Sequence, residues 1–486
     1  MYREHPIKIL RYCIRNLWLL IFPLLRSSVL FPFSPEALLR WLHGAWFDIL
    51  IFLTILGIAV LRWRYCRFSF CRQFIRCNNG IFFRRQICIP CARITAVTET
   101  DSCLLKPLRL VLLKIDTAAA PLPAAELRLW LREKHLHQMR REVPVMQPSS
   151  APAKRRRTGI WMTLLFSFLF SSSLSGTIYI IAFFVQAGSI ARDLFFQPPV
   201  MKALDEINNA AIHTFYAIPS IIVSLCVFLG ACWIISFFVN LLHYGRFRVH
   251  AGSGLLSVHM GILIRRRTYL RPGAVNHVIL RQNLMMKLFG VLSMHLSCPG
   301  YGGGRKSMPV LIPVLTKKTT PLPLSALMPG VSDGSLPKMI RGKRRAIWSF
   351  VWLPVTWIGL ILGIMVLAVQ TAPDMERLLF FSGVIGLIPA VWLLLIRLIS
   401  ISAEHVSFDK RQIQFQYSRG FSFYTITAPL HHVIGIKICR TPLTARNDIC
   451  SLIIQLRGHR RKRHKLTGIS FRQAEELKAF LEQILQ

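Results

Sequence analysis

The chain has 486 residues, 53% of them hydrophobic, with a mean hydropathy of +0.45. That is too apolar for an ordinary soluble protein and places the chain in the membrane class. The formal net charge is +40, from 61 Lys+Arg against 21 Asp+Glu, so the paired carboxylates of acid–base enzymes are scarce from the outset.

The N-terminus, MYREHPIKILRYCIRN, is long and basic, and no small-residue cleavage site follows its first apolar run, so no cleavable signal peptide is expected. Apolar runs near 14–33, 44–62, 161–186, 215–241, 347–370 and 378–399 reach the roughly 20 residues that a membrane-spanning helix needs. They predict six spans in three pairs, the first interrupted by Arg26. Basic residues crowd the N-terminus and the segments 63–158, 244–345 and 401–486. The connectors within pairs differ: 187–214 carries 2 − 3 = −1, and 371–376 holds only acids. The positive-inside rule then predicts cytoplasmic termini and cytoplasmic basic segments. The 12 cysteines fit a reducing compartment, where free thiols are expected.

A repeat follows each pair. Residues 80–90 read GIFFRRQICIP and residues 261–271 read GILIRRRTYLR. Ile94 and Val97 follow the first, Val275 and Val278 the second, each at the same distance from its glycine (94 − 80 = 275 − 261 = 14). A diverged third copy opens at Gly420 (GFSFYTITAPL), with Val433 and Ile436 at the apolar positions. Strand-like runs VLLKID, VLSMHLS and SLIIQLR come next, and Ile94–Ile115, Val275–Leu296 and Val433–Ile454 are all 21 apart. Fixed spacing in three colinear copies argues for a triplicated domain. The Asn78-Asn79-Gly80 turn between β-rich runs predicts a hairpin. Helical patterns close copies one and three, at 124–139 and 470–485, the latter with Ser470 and Gln473 in capping-box spacing. Copy two has LPLSALMPG there instead.

Paired membrane helices, three such repeats and His5-Pro6 near the start resemble the bacterial PH-like, membrane-flanked domain family of the YdbT type. The resemblance covers nearly the whole chain and rests on the pattern G-[IF]-x-x-R-R-x-x-x-[IP], then an apolar pair and a strand. Copy three departs from it, with Tyr424-Thr425 near the arginine position. It implies three PH-like domains at a bacterial cytoplasmic membrane, no established catalytic residues, and pairing with a smaller one-domain relative. The resulting expectation is an α+β integral membrane protein with six transmembrane helices in three pairs, each pair followed by a cytoplasmic PH-like β-sheet domain. Its parts are an N-terminal segment with the first pair (1–62), domain 1 (63–145), a basic linker (146–158), the second pair (159–243), domain 2 (244–340), the third pair (341–400) and domain 3 (401–486).

The candidate sites are basic. Lys154, Arg155, Arg156 and Arg157 precede the third span, and Arg341, Lys343, Arg344 and Arg345 the fifth, where they serve as topology anchors. Arg457, Arg460, Arg461, Lys462, Arg463 and Lys465 read as a loop farther from any span and are the expected site for anionic lipid headgroups. That run lacks aromatic interleaving, which argues against nucleic acid. Arg26 and Asp48 are placed to pair across the first helix hairpin.

Other motifs carry less. GYGGGRKS (300–307) imitates a P-loop but has Arg305 where the second glycine belongs, and Pro309 and Pro313 break the helix that must follow. Cys88-Ile-Pro-Cys91 has metal spacing without an evident second ligand pair. His135 and His137, and His431 and His432, are spaced to point apart. No catalytic motif appears and no cofactor is expected. The reading is a non-enzymatic, membrane-anchored binding or scaffolding protein whose partners are anionic lipids, a one-domain relative or further copies of itself. The alternative is transport or lipid handling through the helices, which would require ionisable residues lining the spans.

Overall fold

The structure, a computed structural model, describes residues 2–16, 46–80, 84–118, 127–147, 154–171, 177, 198–214, 218–252, 254–299, 310–316, 327–328, 331, 336–342, 346–371, 376–458 and 462–485.

The first repeat runs β1 (Tyr2–Arg3), α1 (Ile7–Asn16), α2 (Trp46–Tyr65), β2 (Arg67–Phe70), β3 (Phe74–Asn79), β4 (Arg85–Pro90), a 3-10 turn at Cys91–Arg93, β5 (Ile94–Ser102), β6 (Leu110–Thr117), β7 (Leu127–Arg132) and α3 (Glu133–Glu142). The second runs β8 (Lys154–Arg157), α4 (Ile160–Phe170), α5 (Pro198–Thr214), α6 (Ser220–Tyr244), β9 (Arg248–Gly252), β10 (Leu255–Met260), β11 (Ile264–Leu270), a turn at Pro272–Ala274, β12 (His277–Asn283), α7 (Leu284–Leu288), β13 (Val291–Ser297) and β14 (Val310–Thr316). The third runs β15 (Lys338–Arg341), α8 (Ile347–Thr371), α9 (Glu376–Ala403), β16 (His405–Phe408), β17 (Gln412–Arg419), β18 (Ser422–Pro429), a turn at Leu430–His432, β19 (Val433–Cys439), α10 (Pro442–Arg446), β20 (Ile449–Leu456), β21 (Lys462–Ser470) and α11 (Phe471–Leu485).

Each helix segment is spliced into a sheet. β1, β8 and β15 precede the helices, yet pair antiparallel with β2, β9 and β16, which follow them. The expectation that helices come first and the sheet afterwards therefore misses one strand per repeat. These first strands read YR, KRRR and KMIR. Their charge blunts an edge that would otherwise template aggregation, and it is why a strand there looks like a linker.

The sheets also cross repeat boundaries. Their orders are β1-β2-β3-β4, β7-β6-β5-β11-β10-β9-β8, β14-β13-β12-β18-β17-β16-β15 and β19-β20-β21. The second half of each repeat thus joins the first half of the next. The cores follow this arrangement. Ile94, Val97, Leu113, Ile115, Leu129 and Met139 form one, with Tyr269 of the second repeat packed against it. Ile279 of the second repeat belongs to the core of the third, with Phe415, Ile426, Ile454, Leu466 and Leu477.

Two local readings change. Residues 124–139 carry a helical expectation, but Leu127–Arg132 is a strand. Leu127, Leu129 and Leu131 are buried while Arg128 and Arg132 are exposed, a period-2 alternation that a strand satisfies; the helix begins only at Glu133. The connector 187–214 contains the helix α5. In the second repeat, Leu327, Met328 and Val331 enter the core at the place where the other repeats put their closing helix.

Among the described residues, three helices are long and apolar enough to cross a membrane: Ser220–Tyr244, Ile347–Ala368 and Glu376–Ala403. At 1.5 Å per residue, 25 residues extend roughly 37 Å, beyond a hydrocarbon core of roughly 30 Å. Phe228, Trp352, Trp357, Val366 and Ile388 face outward along them, as lipid-facing residues do. α8 and α9 pack closely because Gly383 leaves room for Met365; a β-carbon there would sit 2.2 Å from its sulfur.

Candidate functional site

The basic run of the third repeat is mostly strand. β21 starts at Lys462 and pairs with β20, which pairs with β19. The register lines up Lys437, Ile453 and Lys465 in one row and Gly435, Gln455 and Arg463 in the next. Alternation turns the intervening rows, Ile436–Ile454–His464 and Ile438–Leu452–Leu466, to the opposite side. There Leu452, Ile454 and Leu466 join Leu477 and Leu481 of α11 in the core. His464 is buried, with Nδ1 2.8 Å from the Tyr417 hydroxyl.

Lys437, Arg463 and Lys465 are all exposed and lie on the same side of the sheet. Adjacent strands lie about 4.8 Å apart, so Lys437 and Lys465, two strands apart, flank a space of roughly 10 Å. β19, β20 and β21 contain no Asp or Glu. Arg457 is exposed just past β20, with its backbone N–H donating to His432 O at 2.8 Å. The result is a cationic sheet face able to take an anionic group of headgroup size. The sequence run located Arg457, Arg463 and Lys465 but missed Lys437, 465 − 437 = 28 positions away, which only sheet register brings alongside. Arg460 and Arg461 lie outside the described residues, as does the side chain of Lys462.

Among the other expected residues, Lys154, Arg155, Arg156 and Arg157 form β8. Arg341 ends β15 and is exposed. Lys343, Arg344, Arg345, Arg26, the side chain of Asp48 and GYGGGRKS lie outside the described residues, so the Arg26–Asp48 pair does too. Cys88 is exposed on β4, and Cys91 is buried at the turn with its thiol 3.6 Å from Cys71 O. Among the described residues no His, Cys, Asp or Glu cluster could hold a metal.

A second polar cluster carries no sequence motif. Glu4 is buried beside Lys8, whose Nζ is also 3.4 Å from the Cys66 thiol. A hydrogen bond from Cys77, then the Lys8 ammonium, pulls the Cys66 thiol down to about 6 against the opposing effect of burial. Cys77 is pushed up, first by that same contact. Burial raises Glu4 to about 7. The His5-Pro6 pair has a local role here: the Ile7 N–H donates to His5 Nδ1 at 3.2 Å, and proline is tolerated where a helix begins. In the third repeat Glu404 stands just before β16, as Cys66 stands just before β2, and it too is buried. It accepts from Ser400 Oγ at 2.9 Å, Ser418 N at 3.3 Å and Thr467 N at 2.9 Å.

Comparison with protein families finds the bacterial PH domain three times, at residues 30–144, 206–320 and 349–484. The chain belongs to the bacterial PH domain family. Each match takes in part of a helix segment and all the sheet strands after it, and leaves the first strands β1, β8 and β15 outside. PH domains are typically non-catalytic binding modules, and three of them point to a binding or scaffolding role; no enzyme family is indicated. Searches of curated proteins and of solved structures find no significant match.

Proposed function

We propose that this protein is a non-enzymatic, membrane-anchored platform whose third PH domain binds anionic lipid headgroups. Six helices in three pairs hold the PH domains at the cytoplasmic face of a bacterial cytoplasmic membrane, with both termini on that side. The basic segments support this orientation. The observation that carries the headgroup reading is the coplanar set Lys437, Arg463 and Lys465, with Arg457 at its rim and no acid on its three strands. Near an anionic membrane each such cation contributes about 1 kcal/mol.

Native mass spectrometry of the full chain in mild detergent tests it, beside a variant with Lys437, Arg457, Arg463 and Lys465 changed to Gln. Retained anionic lipid that the variant loses supports the reading. Equal retention by both would refute it. A bound protein with no selective lipid would make the chain a protein scaffold.

A further inference from the structure

The sheets leave eight edge strands among the described residues. Six are the same two strands in every repeat: the basic first strands β1, β8 and β15, and the last strands β7, β14 and β21. The other two, β4 and β19, are edges for a different reason. Their counterparts are internal: β11 and β18 correspond to β4, β5 and β12 to β19, and these form the seams β5–β11 and β12–β18.

Both seams share one register. Val97, 97 − 94 = 3 residues past the start of β5, faces Tyr269, 272 − 269 = 3 residues before the turn at Pro272. Val278, 278 − 275 = 3 past Val275, faces Thr427, 430 − 427 = 3 before the turn at Leu430. The same rule applied to the two ends of the chain puts Ile436 (436 − 433 = 3) opposite Cys88 (91 − 88 = 3).

The surfaces agree. Thr95 and Asn276 are 7% and 8% exposed inside the seams, whereas Ile434, at the same step of β19, is 50% exposed. Thr427 is buried in its seam and Cys88, its counterpart, is exposed. The edge β19 therefore shows apolar surface where its equivalents are covered, and β4 shows the complementary strand with nothing across from it among the described residues.

We propose that β19 of one copy of this chain pairs with β4 of a second copy, head to tail, in the register of the two internal seams. The occupant is a second copy because the missing half of each edge is carried by this same chain at its other end. The contact is heterologous, so it propagates into a ring or a row in the membrane plane. Its one like-charge opposition, Arg84 against Arg440, falls at the rim of the strands; association should therefore tighten, not weaken, as ionic strength rises. This inference does not depend on headgroup binding.

The test uses the full chain in membranes and in mild detergent. Ile436→Cys should form, on mild oxidation, a bridge to native Cys88 of another chain, seen as a ladder on non-reducing gels and mapped by peptide mass spectrometry. Cys88→Ser should abolish the ladder. Lys437→Cys, aimed at the opposite face, should give at least tenfold less. Two differently tagged populations should co-purify, and Ile434→Lys, at an exposed position, should reduce that at least tenfold. The proposal is overturned by a parent protein that is purely monomeric at 10 μM or more (an order-of-magnitude threshold for weak association), by a bridge between Cys88 and the introduced thiol that stays within single chains, or by co-purification that Ile434→Lys leaves unchanged.

Discussion

Arg140 of α3 donates through Nε to the Glu99 carboxylate at 2.8 Å, and its second guanidinium nitrogen meets the other carboxylate oxygen. Glu99 is 3% exposed and also faces Arg267 across the β5–β11 seam. This fork ties the closing helix of the first PH domain to the strand that joins it to the second. Removing Glu99 leaves Arg140 half-buried without its anion, so Glu99→Ala should cost roughly 3–5 kcal/mol. The double variant Glu99→Met/Arg140→Leu should recover most of that loss, because matched apolar groups replace a buried pair at little cost. Thermal unfolding of the two singles and the double closes the cycle. A double variant as unstable as the sum of the singles would mean the pair is not coupled.

Glu404 predicts a pH dependence. Burial raises its carboxyl to about 7 against an ordinary 4.5, partly offset by the hydrogen bonds from Thr467 N, Ser400 Oγ and Ser418 N. A carboxyl with a raised folded-state pKa favours the folded state most when protonated. Stability from this group is therefore full below about pH 4.5, declines as pH rises to about 7, and is flat above. The pKa difference corresponds to about 3 kcal/mol at most. Glu404→Gln should remove this slope. At pH 5 it should also cost about 1–2 kcal/mol, since an amide NH2 would face a backbone N–H donor. Unfolding midpoints of parent and variant between about pH 3.5 and 8 decide it (a window of about one unit beyond either pKa).

The thiol pair of the first repeat gives a third expectation. Cys66 lies lowered to about 6 by the Cys77 hydrogen bond and by Lys8. Because Cys66 is 1% exposed, its ionisation is read directly, as the ultraviolet thiolate absorbance of the parent minus that of Cys66→Ser, and should be half-complete near that pH and not near 9. Lys8→Met should move the midpoint upward. An unshifted profile in that variant would show that the ammonium does not act on the thiol.

Much of each PH unit is legible from spacing. Val97 faces Ile115, Val278 faces Leu296 and Ile436 faces Ile454; 115 − 97, 296 − 278 and 454 − 436 all equal 18, so the constant interval in the sequence is a cross-strand register written three times. The seams leave no such mark. A strand that pairs with a neighbouring repeat has the same alternation as one that pairs locally, and the partners Glu99 and Arg267 are 267 − 99 = 168 residues apart. The charge of the first strands disguises them, and Lys437 joins the basic face through pairing alone. Leu127–Arg132 reads as helix because a strand running straight into a helix offers no break between the two periods.

The opening glycines make the last prediction, since they mark the repeat and differ in strictness. Gly80, Gly261 and Gly420 all have positive φ, at 124°, 98° and 57°. At Gly261 an added β-carbon would lie 2.0 Å from the backbone oxygen of Ile264, where β11 pairs with Ser102 of β5. Gly420 has open space around that position and a φ in the ordinary left-handed region. Left-handed backbone alone costs a side-chain-bearing residue roughly 1–2 kcal/mol, and less for Asn. Gly420→Asn should therefore lower stability by under about 1 kcal/mol. Gly261→Ala should exceed about 3 kcal/mol, because strain and steric collision add. Unfolding measurements on the two variants check the order, and similar losses at both sites would mean that φ, and not the Ile264 carbonyl, sets the requirement for glycine.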